Sequence, residues 1–104
     1  KSWTTPGVLD RAGCQVSIIT DAPVIPQEYL ALCAGMAIKA GMDPFKALQA
    51  ITINPARHIG LENQIGSLEV GKAADIVITD ASPFEVSTKI IQVYVNGIAV
   101  PRVE

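Results

Sequence analysis

Asp21 closes a short β-branched run, Val16-Ser17-Ile18-Ile19-Thr20, and Ala22-Pro23 follows at once. A run of this kind reads as a buried strand. A carboxylate at the C-terminal end of such a strand stands where an α/β protein places its chemistry. Pro23 and Pro26 stop the strand and stiffen the loop beyond it. An aspartate in this setting also serves as a helix cap or a turn residue, so the run by itself leaves both roles open. Asp21 is the one catalytic candidate the chain carries.

The elements that would position it are legible on both sides. Thr4-Thr5-Pro6 starts a helix with a hydroxyl cap and an early proline, and Gly13 ends it. The strand Gln15–Thr20 follows, which makes half of a repeating β/α unit. Gln27–Ala40 reads as a helix apolar nearly all round, to be buried on several sides, and Gly41 ends it. Asp43-Pro44 caps and starts another helix, with Phe45, Leu48 and Ile51 at helical spacing. Asn54-Pro55 repeats that start signal for a short helix stopping at Gly60. From Leu61 the texture changes to glycine-punctuated extended pieces. Ala74–Thr79 and Ile90–Val95 read as strands. Asn96-Gly97 is a hairpin turn that returns through Ile98-Ala99-Val100, with Pro101 favouring a sheet edge. The expected division is an α/β part, residues 1–63, and a small antiparallel β part, residues 64–104.

Composition narrows the function classes. Apolar residues make up 49% of the 104 and charged residues 17%, with net charge −2 and mean hydropathy +0.34. Scattered lysines and arginines argue against nucleic acid and against a polybasic membrane contact. No apolar run approaches the roughly 18 residues of a membrane span. With so few charges, much exposed surface must be apolar, which points to contact with another part of a larger protein or with a second copy. Cys14 and Cys33 form no C-x-x-C pair and read as buried free thiols in a reducing compartment. Lys1-Ser2-Trp3 opens without a signal-peptide pattern, so the expected location is cytoplasmic.

Other polar residues read as structural. The one histidine, His58, reads as an ordinary helix-surface residue. Asn54 reads as a helix cap, Asp75 as the acceptor of a turn or strand-start hydrogen bond, and Tyr94 as half-buried packing. Arg57 and Lys72 are expected in solvated or short ionic contacts.

Four blocks recur here in one order: Ile19-Thr20-Asp21-Ala22-Pro23, then Ala47–Arg57 with its Asn54-Pro55-Ala56, then Gly66-Ser67-Leu68-Glu69-Val70-Gly71-Lys72-Ala73-Ala74-Asp75, then Val95-Asn96-Gly97. Together they resemble the C-terminal stretch of metal-dependent amidohydrolases, nearest the imidazolonepropionase-like and Xaa-Pro dipeptidase-like branch. The resemblance implies the end of a (β/α)8 barrel, with Val16–Thr20 as its eighth strand and Gln27–Ala40 as the following helix. The segment from Gly66 onward would belong to a small β-sandwich. It implies Asp21 as a metal ligand and as the general base that takes a proton from the attacking water. The implied cofactor is a divalent metal, zinc foremost, and the implied partner a small-molecule substrate with a cyclic amide or dipeptide-like C–N bond. The family's other metal ligands are histidines, and none stands in a matching position here. A catalytic zinc needs about three protein ligands. The chain alone is therefore expected neither to bind metal tightly nor to turn over substrate. The alternative is a non-catalytic structural or self-associating module.

Overall fold

The computed structural model describes residues 3–22 and 27–101. Among these residues, four α-helices precede a three-stranded sheet. The helices are α1 (Thr5–Arg11), α2 (Leu30–Lys39), α3 (Pro44–Ala50) and α4 (Ile53–His58). The strands are β1 (Ile76–Thr79), β2 (Ile90–Val95) and β3 (Ile98–Ala99), antiparallel in the order β1-β2-β3. No helix among the described residues is long and apolar enough to cross a membrane.

The helix ends follow the local sequence. Pro6 lies in the first turn of α1, although the expected hydroxyl cap is absent: Thr4 is the N-cap, and its side chain makes no capping bond. At the start of α3 the Asp43 carboxylate accepts from the Lys46 backbone N–H at 3.1 Å, and Pro44 needs no partner for a missing N–H. Helices α1, α2 and α4 close alike. Gly13, Gly41 and Gly60 adopt positive φ. Each glycine N–H, and the N–H after it, returns to carbonyls of the last turn, as in Cys14 N to Leu9 O at 3.0 Å and Leu61 N to Ala56 O at 2.8 Å.

Three helical expectations are corrected. Residues Gln27–Tyr29 form a tighter 3-10 turn, and the α-helix proper starts only at Leu30. That helix is buried along one face, by Cys33, Ala34 and Ala37, while Leu32 and Met36 stay exposed. The last helix starts at Ile53 with Thr52 at its N-cap, so Asn54 lies inside it. The Thr52 hydroxyl turns back to the Leu48 carbonyl at 2.7 Å, and the helix starts two residues earlier than expected.

The core is built of small side chains. Cys33, Ala34 and Ala37 of α2 pack with Ala47 and Ala50 of α3, with Met42 between the helices and Ile18 from the extended run. Small residues let backbones approach closely. A Cβ on Gly7 would sit 3.2 Å from the Met42 Cα, and one on Gly35 would sit 3.3 Å from the Phe84 carbonyl oxygen. Through Phe84, the loop between β1 and β2 rests on α2.

The β1–β2 ladder is regular but for one bulge. Ile76 pairs with Tyr94, Val77 with Val93 and Ile78 with Gln92, and then a bulge shifts Thr79 opposite Ile90. Asn96 and Gly97 both have positive φ, 52° and 79°, as a two-residue primed turn demands. β3 is one of the two edge strands, and Pro101 lies just beyond it. β1 is shorter than expected. Ala74 and Asp75 precede it and instead hold the hairpin, through Gly97 N to Ala74 O at 2.9 Å and Asn96 N to the Asp75 carboxylate at 2.8 Å.

Candidate active site

The run that carries Asp21, residues 14–20, is neither helix nor turn, and it is not a strand of any sheet among the described residues. A strand exists by its neighbours' N–H and C=O groups, and no described segment lies alongside to supply a ladder. Side chains nonetheless alternate as on a strand. Ile18 (8% exposed) and Thr20 (7%) are buried, Ile18 in the core with the helices, whereas Ile19 between them is 69% exposed. Asp21 follows two residues after Ile19, is exposed, and leaves the run with φ 54°. Positive φ is uncommon for a residue with a side chain, and aspartate tolerates it better than most. The conformation turns the backbone at the very end of the run. Pro23 and Pro26, expected to stop the strand, lie outside the described residues.

Below Asp21, the run is fixed from the α3–α4 corner. Asn54 Nδ2 donates to the Val16 carbonyl at 2.8 Å. The Ser17 hydroxyl and His58 Nδ1 are 2.6 Å apart. Ile18 N donates to the Ala50 carbonyl at 2.8 Å. Asn54 is thus no cap: it reaches sideways from the helix to the run. His58 is exposed on the helix surface, as expected, yet it touches the run too. The missed signal was spacing, because Asn54, Arg57 and His58 share one face of a helix.

The other candidates stay apart from Asp21. Asp75 makes the hairpin bond anticipated for it, and Tyr94 is half-buried on β2. Arg57 Nη1 donates to Asn54 Oδ1 at 3.3 Å. Lys72 is less solvated than its charge suggests. Its side chain is 9% exposed, lies 3.4 Å from the Glu69 carboxylate, and donates to the Ser67 hydroxyl at 2.6 Å. Cys33 is buried, but Cys14 is exposed: it ends the α1 turn, where its N–H serves the helix and its side chain meets no core.

Among the described residues, no three His, Cys, Asp or Glu side chains come together as a group able to hold a metal ion. One exposed carboxylate does not fit the roughly three ligands of a catalytic metal.

Comparison with known proteins agrees with the four sequence blocks. Residues 5–100 match the amidohydrolase family. Adenine deaminase 2 of Jannaschia sp. (strain CCS1) is 48% identical over 62 residues, 60% of this chain and 10% of that protein. Imidazolonepropionase of Symbiobacterium thermophilum is 42% identical over 71 residues, 64% of this chain and 16% of that protein. The crystal structure of an amidohydrolase from Thermotoga maritima MSB8 superposes with a TM-score of 0.92 at 35% identity, covering 98% of this chain and 27% of that one. The chain therefore spans about a quarter or less of the relatives it matches.

Proposed function

We propose, from the premise that this chain belongs to the amidohydrolase family, that it forms the C-terminal part of a metal-dependent hydrolase acting on a C–N bond. In this reading residues 1–63 end a (β/α)8 barrel, and residues 64–104 belong to the small β-sandwich. The run 16–20 is the eighth strand, and Asp21 stands at its C-terminal mouth. One observation carries the reading: Ile18 and Thr20 are buried, Ile18 in the helix core, while Ile19 between them is exposed, the alternation by which a barrel strand divides its side chains between helix layer and interior. Asp21 shares the parity of Ile19, and barrel enzymes gather their chemistry at the C-terminal ends of strands.

Asp21 then has two tasks. As a ligand it would help hold a divalent metal, zinc in this reading, with donors from other parts of the parent protein; such a metal would lower the pKa of its bound water. As a general base it accepts the proton of the attacking water and returns it to the leaving nitrogen, work that a positioned carboxylate performs for about 10²- to 10⁴-fold in rate. The substrate is a small molecule. The imidazolonepropionase relative favours a cyclic amide, and the adenine deaminase relative an exocyclic amine on a heterocycle. The chain alone is inactive in this reading.

The test supplies the longest natural chain containing these residues with zinc, then follows ring opening of a cyclic amide and ammonia release from an aminopurine. Cleavage of either, lost on chelation, is expected. A folded, metal-loaded protein that cleaves neither rejects the reaction class. A second reading, self-association without catalysis, is favoured by the apolar side chains that Val77, Ile90, Ile91 and Ile98 expose on the sheet. Sedimentation of the chain as a clean monomer would reject it.

A further inference from the structure

The lower end of the Asp21 run has no sheet neighbour among the described residues, yet three consecutive residues are fixed. Val16 is held through its carbonyl by Asn54, Ser17 through its hydroxyl by His58, and Ile18 through its N–H by the Ala50 carbonyl. Every one of these partners lies on the α3–α4 corner. Two of the bonds come from helix side chains, and the Asn54 bond is the part-buried one.

We infer that Asn54 is a positioning residue for Asp21, with Arg57 orienting its amide. The Arg57 guanidinium donates to Asn54 Oδ1 at 3.3 Å, so the amide presents its NH₂, and not its oxygen, to the Val16 carbonyl. The reverse orientation would set oxygen against oxygen. The bond fixes where the run starts along its own axis. Between anchor and carboxylate, Ile18 is packed in the helix core and tied to Ala50, and Thr20 is buried, which leaves the stretch little room to absorb a slip. At the rise of a strand, the five residues from Val16 to Asp21 would carry the position of the anchor over about 16 Å. A misplacement of about 1 Å at a reacting group costs on the order of 10²-fold in rate. The inference rests on the reading of Asp21 as the general base, and it adds a residue with no part in the chemistry.

The experiment compares Asn54→Ala, Arg57→Met and Asp21→Asn with the unaltered protein, all in the longest natural chain and loaded with zinc. Rates are expressed per metal-loaded molecule, and thermal unfolding is measured beside them. For Asn54→Ala the expected result is a fall in kcat of about 10- to 100-fold, with KM nearly unchanged and the pH profile of kcat displaced. Arg57→Met, an exposed change, gives a smaller loss of the same kind. A purely structural role would lower the unfolding temperature and leave kcat per loaded molecule, KM and the pH profile alone. Asn54→Ala with kcat within about twofold of the unaltered protein overturns the inference. If Asn54→Ala does not fold, an unchanged kcat and pH profile in Arg57→Met overturns it. Asp21→Asn separates the two failures. If it abolishes turnover while the Asn54 and Arg57 variants keep theirs, only the positioning role falls; if it keeps full turnover, the reading of Asp21 falls first.

Discussion

Gly66→Ala makes two demands at one residue. The backbone there has φ +98°, and an added Cβ would lie 2.9 Å from the Ala56 Cβ, 3.1 Å from the Ile53 Cα and 3.2 Å from the Ile53 Cδ1. Holding a side-chain-bearing residue at such a φ costs about 1–3 kcal/mol. Relieving the overlap must move α4, because Ala56 is 2% exposed and Ile53 9%, and overpacking of this kind costs about 1–3 kcal/mol more. The sum, about 2–6 kcal/mol, rivals the 5–15 kcal/mol that holds a small domain together. Gly71 supplies the control. Its φ is +93°, but nothing lies within 4 Å of its would-be Cβ, so Gly71→Ala suffers the first cost alone. Urea unfolding of both variants should place Gly66→Ala lower than Gly71→Ala by about 1–3 kcal/mol with an unchanged slope. In thermal unfolding the gap is about 4–20 °C for a chain of this size. Equal losses in the two variants would mean that the Gly66 turn does not rest on α4.

Asp43→Ala removes the acceptor at the start of α3 and should cost about 1 kcal/mol in denaturant unfolding; no loss would mean the bond does not form in solution. Asp75→Ala leaves the Asn96 N–H without its carboxylate, and a loss of about 0.5–1.5 kcal/mol is expected, with faster amide exchange at Asn96 as the local sign. A maleimide should label Cys14 at once and Cys33 only on unfolding, since the first is exposed and the second buried; equal rates would contradict the packing of α2.

Local chemistry explains what was legible. Asn96-Gly97 predicts the primed hairpin because both residues tolerate positive φ, and both adopt it. Asp43-Pro44 predicts a helix start because the bond it needs spans only three residues. Gly13, Gly41 and Gly60 predict helix ends for the same reason. What stayed hidden depends on distant partners. Residues Gln15–Thr20 have the composition of a strand, but a ladder requires neighbours that no described residue provides. Asn54 next to Pro55 mimics a cap, and its bond to Val16 crosses 38 positions. Cys14 has the usual side chain of a core, yet its place just past a helix end leaves it exposed. The Asp21 assignment draws on both kinds of information, since the alternating burial of Ile18, Ile19 and Thr20 shows which way the run faces, and the family blocks suggest what a carboxylate at its end would do.

The most direct measurement is kcat for Asp21→Asn in the longest natural chain, with the same zinc content and the same unfolding temperature as the unaltered protein. A proton acceptor replaced by an amide should lower kcat by about 10²- to 10⁴-fold. A value within tenfold of the unaltered protein would contradict the assignment of Asp21 as the base.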